Sequence, residues 1–186
     1  MVSQGIVCAI TQKKGVNMCP IIIQMYHGYI RNKNSLCRQL GVENAGIREE
    51  VEKNLLIEGY KKWGKEVVNH IYGSFAFAIY DDVRNDIVCA RDPFGICSFY
   101  YWIGSSGKLV YSIDVRDIID NEGYSKEMNL KAFQYYTMLG YMAGEETLYK
   151  NIYKLMPGHI LIYKNNKIKK EKYFELHYTP EYNIYD

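Results

Sequence analysis

The sequence predicts an α+β sandwich, with helices outside two antiparallel sheets. Three observations predict this fold class. The middle of the chain alternates short apolar runs with Gly, Asp and Asn turns, and helical patterns lie before and after that block. Nineteen tyrosines favour half-buried strand positions. A chain of 186 residues, 48% of them hydrophobic, is long enough to bury the core of one domain.

The first strands and the first helix follow from local signals. Residues 4–11 are an apolar run that begins almost at the first residue, and residues 21–26 are a β-branched run. Both are predicted as strands. A short helix is expected next, with Asn32 or Asn34 as its cap and Gly41 as its end.

Residues 47–63 have the pattern of an amphipathic helix. Its apolar face is formed by Val51, Leu55, Leu56 and Tyr60 and is extended by Ile47 and Trp63. The charged residues assigned to the opposite side are Glu49, Glu50, Glu52 and Lys53. We therefore expect Glu52 on the exposed surface of this helix. A second short helix is expected at residues 67–71.

The rest of the chain continues the same alternation. Four strands separated by polar turns are predicted at residues 75–80, 87–90, 99–103 and 109–112. A helix over residues 129–139, capped by Asn129, precedes a last hairpin with strands at residues 160–163 and 168–173. The predicted domain covers residues 1–174. Residues 175–186 are a polar C-terminal tail or the start of a linker.

Charge and cysteine usage exclude several function classes. A net charge of +2 predicts no nucleic-acid partner, and the five lysines of residues 164–172 fit a solvated hairpin better than a binding patch. No apolar run reaches the ~18 residues that a membrane span needs, so no membrane partner is expected. Five cysteines without a CxxC pair or metal-ligand spacing predict no metal and no cofactor. Their odd number predicts free thiols in a cytoplasmic protein.

Longer stretches of the sequence indicate a family more specifically than these local patterns do. YGSFAFAIYD at residues 72–81, CARDPFGI at residues 89–96 and the following Tyr100-Tyr101 match the order G-x-F-A-F-A-I-x-D, A-R-D-x-F-G and an aromatic pair. Further strings in the same order lie at residues 32–40, 60–64, 129–141 and 154–159. On these strings the chain resembles the class II glutamine amidotransferases, most closely the N-terminal glutaminase domain of asparagine synthetase B-type proteins. The resemblance covers most of residues 4–174.

The resemblance implies an N-terminal nucleophile hydrolase fold, which is a four-layer α/β/β/α sandwich of two antiparallel sheets packed face to face. It places small Ala76 and Ala78 on a strand where the two sheets approach closely. It also implies a structural motif made of Gly73, Arg91, Asp92 and Gly95. In this motif Arg91 and Asp92 either organise a loop by hydrogen bonding or contact the substrate.

The nucleophile position of the family is not filled by a nucleophile. Active members use an N-terminal cysteine before Gly-Ile, and its free α-amine acts as the base. Residues 5–7 match that string here, so the position falls on Gln4. Trimming to Ser3 would place a hydroxyl one residue out of register, on the other face of the strand. Cys8 falls where the family has a small residue, so it is expected to be a small buried side chain. A chain that began at Cys19 would have a cysteine at its N-terminus but would lack the first strand.

The other sequence motifs that form the site in this family are also altered in this chain. His27 and Gly28 align with the Asn-Gly of the oxyanion hole, where Gly28 keeps its N–H and His27 could donate a hydrogen bond or pack at the strand end. Tyr29 replaces the carboxylate that would pair with the α-ammonium of glutamine. Glu52 aligns with the second acidic string and keeps a carboxylate. The segment with the arginine that grips the substrate carboxylate has no counterpart, since only residues 11–19 lie in its place.

These losses predict a degenerate, non-catalytic glutaminase-like domain of asparagine synthetase type. It is expected to support an ATP-pyrophosphatase, asparagine synthetase-like partner, because the pyrophosphate-binding string S-G-G-x-D-S is absent from this chain. The chain is then expected to be a split-gene product or a truncation. Two alternatives remain open. One is an active glutaminase that delivers ammonia by an unconventional nucleophile, and the other is a small-ligand module that binds glutamine in the vestigial pocket.

Overall fold

A computed structural model describes residues 20–178 of the chain. The predicted strand at residues 4–11 and the end of the predicted tail lie outside that range. Within it, the strands are β1 (Ile21–Ile30), β2 (Gly73–Asp81), β3 (Asp86–Arg91), β4 (Tyr100–Ile103), β5 (Leu109–Ser112), β6 (Ile152–Lys154), β7 (His159–Lys164) and β8 (Lys167–Lys172). The α-helices are α1 (Lys33–Leu40), α2 (Arg48–Trp63), α3 (Val115–Ile119) and α4 (Leu130–Leu139), and a 3-10 helix covers Gly64–Asn69.

The strands form two antiparallel sheets. The larger has the order β1-β2-β3-β7-β8, and the smaller has the order β5-β4-β6. Among the described residues β1 is therefore an edge strand of the larger sheet. This position matters for the candidate site, because along one long side of β1 no other described strand is paired with it.

Side-chain alternation along the strands sorts the core into three apolar layers. On β2, Phe75, Phe77 and Ile79 face α1, α2 and the 3-10 helix, whereas Ala76 and Ala78 face the smaller sheet. The outer face of the smaller sheet packs Trp102 and Ile152 against Ile118 of α3. The order of layers is helix, sheet, sheet, helix. The predicted four-layer α/β/β/α sandwich is confirmed.

Four elements differ from the prediction. β1 continues to Ile30, beyond the predicted end at residue 26, because its pairing with β2 extends to Gly73. The helix expected at residues 67–71 is the 3-10 helix over Gly64–Asn69. The short elements α3 and β6 were not predicted. No helix within residues 20–178 is both long enough and apolar enough to cross a membrane.

Candidate functional site

A cleft of about 300 Å³ lies beside β1, where the first turn of α2 and the end of β5 come together. Its walls are formed by Ile23, Gln24, Met25, Tyr26, His27, Glu49, Lys53, Ser112 and Ile113. The cleft thus lies along the β1 edge of the larger sheet, next to the residues that the sequence assigned to the oxyanion hole. It contains side chains of both charges as well as amide and hydroxyl groups.

A bulge in β1 determines which side chains border this cleft. The register with β2 shifts between Ile23 and Met25, so that Gln24 is the extra residue. Gln24 Oε1 accepts a hydrogen bond from the hydroxyl of Tyr111, which belongs to the smaller sheet. After the bulge, Met25 and His27 stand opposite Ala78 and Ala76, on the face toward the smaller sheet. No sequence signal indicated this bulge.

Gly28 is required by the close approach of two backbones. Its φ is +136°, and a Cβ there would lie 2.1 Å from the carbonyl oxygen of Ser74. Gly73 has the reciprocal arrangement, since its Cβ would lie 2.0 Å from the carbonyl oxygen of Tyr29. The close pairing of β1 with β2 therefore requires glycine at both positions, and this requirement does not depend on an oxyanion hole.

The two residues that flank Gly28 are exposed. His27 lines the cleft without being packed at the strand end. Tyr29 is 46% exposed, and the guanidinium carbon of Arg48 lies 5.4 Å from the centre of its ring. The family has a carboxylate at the position of Tyr29. In this chain the guanidinium cation of Arg48 lies over the tyrosine ring instead.

Glu52 is fully buried, and the prediction of an exposed position for it was wrong. Its Oε2 accepts a hydrogen bond of 2.7 Å from the hydroxyl of Tyr26, and its Oε1 accepts one of 3.1 Å from the backbone N–H of Ile30. Arg48 Nε lies 3.9 Å from the same Oε2. Both oxygens are thus engaged by the protein itself. The correction has a physical reason, because a buried carboxylate is tolerated when partners of this kind satisfy it.

The helical pattern contained a signal for this burial. At about 100° per residue, Glu52 lies between Val51 and Leu56 on the helix circumference, inside the apolar arc that ends at Tyr60. Tyr26 completes the arrangement. Burial and its hydrogen bond to Glu52 raise the pKa of Tyr26 well above its usual range, so its hydroxyl remains a donor.

The charged groups at the mouth of the cleft pair with each other. Lys53 Nζ lies 2.6 Å from Glu49 Oε1 one helical turn earlier, and this contact lowers the pKa of Glu49. Neither residue was predicted to belong to a site. Because pairs of this kind are common on exposed helix surfaces, the sequence alone gave no reason to single them out.

No activated nucleophile borders the cleft among residues 20–178. Ser112 Oγ donates to Asp117 and accepts from the N–H of Asp114, so its proton is used in holding α3. Burial raises the pKa of the Cys89 and Cys97 thiols, which keeps them protonated, and neither lines the cleft. The residues Gln4, Cys8 and Cys19 discussed above lie outside the described residues.

The Arg91–Asp92 pair organises the loop after β3. Asp92 is fully buried and accepts hydrogen bonds from the N–H groups of Phe94, Ile96 and Cys97. Arg91 donates to the carbonyl oxygens of Gly95, Cys97 and Leu155. Gly95 has a φ of +67° and a Cβ there would lie 2.7 Å from Pro157. None of these residues lines the cleft.

The described residues contain no candidate metal centre. Within residues 20–178 no group of three or more His, Cys, Asp or Glu side chains could hold an ion. The chemistry that the cleft can perform with its described residues is hydrogen bonding and ion pairing.

Comparison with known proteins relates the whole arrangement to one family. A model of the glutamine amidotransferase domain matches residues 15–174. A protein of Methanocaldococcus jannaschii, whose name describes a glutamine-hydrolysing asparagine synthetase, is 33% identical over 172 residues, which are 89% of this chain and 32% of that protein. A similarly named protein of Mycobacterium tuberculosis is 32% identical over 139 residues, which are 73% of this chain and 21% of that protein. This chain thus spans about a fifth to a third of the length of these relatives.

Solved structures show the same fold at lower identity. The glutamine phosphoribosylpyrophosphate amidotransferase from B. subtilis, complexed with ADP and GMP, superposes with a TM-score of 0.55 and 15% identity. The match covers 86% of this chain and 30% of that chain.

Proposed function

This chain belongs to the glutamine amidotransferase domain family and is related to the glutaminase domains of asparagine synthetases, and on this premise we propose that it no longer hydrolyses glutamine. Its role is to support an ATP-dependent, asparagine synthetase-like partner. The domain that carries this role covers residues 1–174, and it acts in the cytoplasm without a cofactor.

The residue before Gly5-Ile6-Val7 is the observation that carries the proposal. In active members this residue is the cysteine that attacks the glutamine amide, and here it is Gln4. A carboxamide side chain has no acidic proton to give to a base and is a poor nucleophile toward a second amide. The first strand of the family is therefore recognisable in the sequence, while the attacking group is not.

The geometry around Glu52 supports the loss of substrate binding. Two carboxylates are expected to receive the α-ammonium of glutamine in this family. Tyr29 stands at the position of the first, and the second, Glu52, already accepts hydrogen bonds from Tyr26 and Ile30. The positive Arg48 Nε also lies 3.9 Å from Glu52 Oε2 and disfavours an ammonium ligand at this carboxylate.

The partner is proposed from the size of the relatives. The proteins named as asparagine synthetases contain two to four times more sequence outside the matched domain than within it. A domain without its own ATP chemistry can contribute to amide formation by stabilising or orienting the protein that has it. We therefore expect binding to a synthetase, and no binding to nucleic acid or membranes.

An ammonia-release assay on the full chain tests the loss of hydrolysis. Glutamine is supplied with and without the separately purified ATP-dependent synthetase protein of the same organism, and glutamate and ammonia are measured. The C8A/C19A double variant is the control, because it removes both thiols that lie before β1. A glutamine-hydrolysing asparagine synthetase of Bacillus subtilis serves as the positive control.

We expect equal, background rates for the wild type and the double variant under both conditions. Ammonia release by the wild type above that of the double variant would establish an active glutaminase and overturn the proposal. A rise in melting temperature on adding glutamine, without hydrolysis, would instead indicate the ligand-binding alternative.

A further inference from the structure

A cation of the chain itself lies in a small site formed by an aromatic ring and a buried carboxylate. The guanidinium carbon of Arg48 is 5.4 Å from the centre of the Tyr29 ring, and Arg48 Nε is 3.9 Å from Glu52 Oε2. Tyr29 belongs to β1, whereas Arg48 and Glu52 lie one turn apart on α2. Because the face of a ring and a carboxylate both attract positive charge, the two elements together form a site for a cation.

Glu52 retains the capacity to accept a further hydrogen bond. A carboxylate has about four lone-pair positions, and the Tyr26 hydroxyl and the Ile30 N–H each donate to one of its oxygens. The contact of 3.9 Å from Arg48 Nε is an ion pair and is too long for a hydrogen bond. Arg48 therefore partly neutralises the carboxylate without using its remaining lone pairs.

The formation of helix α2 does not explain the position of Arg48. This residue is the first of the helix, where the positive end of the helix dipole disfavours a cation. Glu49 and Glu50 in the same turn have the charge that the dipole favours. The Tyr29 ring and the Glu52 carboxylate are thus the groups that compensate for a positive charge at this point.

Arg48 is bound weakly enough to leave the site. Its side chain is 58% exposed, whereas the Glu52 side chain is 0% exposed. Among residues 20–178 the guanidinium makes the ion pair and the ring contact but no hydrogen bond. An ion pair of this length with a solvated partner contributes little stability. Rotation of the arginine side chain into solvent would therefore vacate the site at a small cost.

We propose that Arg48 is an internal competitor that occupies a cation site formed by Tyr29 and Glu52, and that a primary ammonium ligand binds there when Arg48 is displaced. This inference rests on and deepens the proposed function, since it gives the lost binding of an ammonium group a reversible cause. An external cation must compete with a cation attached to the same chain, so its apparent affinity falls by the fraction of molecules in which the site is vacant. One substitution at Arg48 should therefore make the site available.

Variants of Arg48 in the full chain test the proposal. R48A removes the cation, and R48Q fills much of the same space without a charge, so the test does not depend on one variant. R48K keeps an attached cation. R84A is the matched control, because Arg84 is 60% exposed and its Nε lies 3.6 Å from the carboxylate of the buried Asp81. Within residues 20–178 the Arg84 guanidinium does not lie over an aromatic ring as that of Arg48 does.

The probe is methylammonium chloride, titrated at constant ionic strength against sodium chloride as the reference salt. Binding is followed by two-dimensional NMR through the backbone N–H of Ile30, which donates to Glu52 Oε1 and so reports on the carboxylate. A purely structural effect of the substitution is present before methylammonium is added and does not saturate with it. The melting temperature is a second measurement, because a ligand that binds the folded state raises it.

We expect a saturable shift of the Ile30 amide signal in R48A and R48Q, with a dissociation constant on the order of 10 mM. The wild type and R48K should bind methylammonium at least about 10-fold more weakly, because their own cation competes. R48A/Y29L should lose most of the gain, since leucine removes the aromatic face and keeps an apolar side chain. R84A should bind no better than the wild type.

Three outcomes would overturn the proposal. Absence of a saturable shift in both R48A and R48Q would show that Tyr29 and Glu52 do not form a cation site. Equal binding by the wild type and R48A would show that Arg48 does not compete, and an equal gain in R84A would reduce the effect to a change in net charge. None of these measurements involves hydrolysis. Ammonia release by the wild type would contradict the proposed loss of hydrolysis and would leave the methylammonium results unchanged.

Discussion

A buried carboxylate needs partners, and at the scale of single residues Glu52 shows how this domain supplies them. The Tyr26 hydroxyl and the Ile30 N–H both donate to it, and these donors belong to β1 while Glu52 belongs to α2. Hydrogen bonds to a charged acceptor are stronger than neutral ones. The carboxylate therefore fastens the helix layer to the edge strand of the larger sheet.

Removing this carboxylate should destabilise the fold. E52A leaves two donors without an acceptor in a buried site, and we expect it to lower the free energy of unfolding by about 3 kcal/mol. E52Q keeps one acceptor and should cost less. Chemical denaturation of E52A, Y26F and the double variant should give a coupling energy of about 2 kcal/mol.

E49A is the control for this prediction. Glu49 pairs with Lys53 on the same helix, but both side chains are substantially exposed, so its removal should cost no more than about 0.5 kcal/mol. If E52A costs no more than E49A, the buried hydrogen bonds do not hold the helix to β1.

The role of a single residue could be predicted only where a family-specific sequence string contained that residue. The role of Arg91 and Asp92 in organising a loop was one of the two roles implied by the family resemblance that the string at residues 89–96 supports. Gln24, Glu49, Lys53 and Ser112 came together in the cleft through a bulge and through long-range packing, neither of which leaves a local pattern. Glu52 was misplaced because its charge was given more weight than its position on the helix.

At the scale of elements, prediction succeeded for strands with an alternating or continuous apolar run and for capped helices. β5 matches its predicted bounds, and α4 begins one residue after the predicted cap. β6 has three residues and α3 has five, which is too short for either periodicity to be visible. β1 was predicted to be too short because His27, Gly28 and Tyr29 do not favour a strand by themselves, whereas pairing with β2 imposes one.

The β1–β2 pair depends on glycine at the point of closest backbone approach. We expect G28A to lower the free energy of unfolding by at least about 3 kcal/mol, because the new Cβ would lie 2.1 Å from the Ser74 carbonyl oxygen at a φ of +136°. The loss is measured by urea denaturation. Backbone amides of β1 and β2 should show the largest increase in hydrogen exchange.

G41A separates the clash from the backbone strain. Gly41 also has a positive φ, +68°, but a Cβ there meets nothing within 4 Å. Its substitution should therefore cost about 1 kcal/mol, from the left-handed conformation alone. Equal losses for G28A and G41A would show that β2 can move away from β1 without difficulty.

At the scale of the whole molecule, each central strand contributes to two apolar layers. β2 sends Phe77 to the helix layer and Ala76 to the layer between the sheets, while β4 sends Tyr101 inward and Trp102 outward. Loss of either outer layer would therefore expose strands that the middle layer needs. Such sharing of strands favours a single cooperative unfolding transition.

The chain contains two tryptophans, and they report on the two outer layers. Trp63 packs against the helix layer, and Trp102 lies in the layer beneath α3. In W102F the fluorescence reports on Trp63 and the helix layer. In W63F it reports on Trp102 and the layer beneath α3. We expect the fluorescence midpoint in urea to coincide with the far-UV circular dichroism midpoint within each variant, because the middle layer couples both sheets. Since each midpoint pair is compared within one variant, the stability cost of the substitution cancels. A fluorescence transition that precedes the loss of secondary structure in either variant would mean that its layer unfolds as a separate unit, and the sandwich would then be two loosely joined halves.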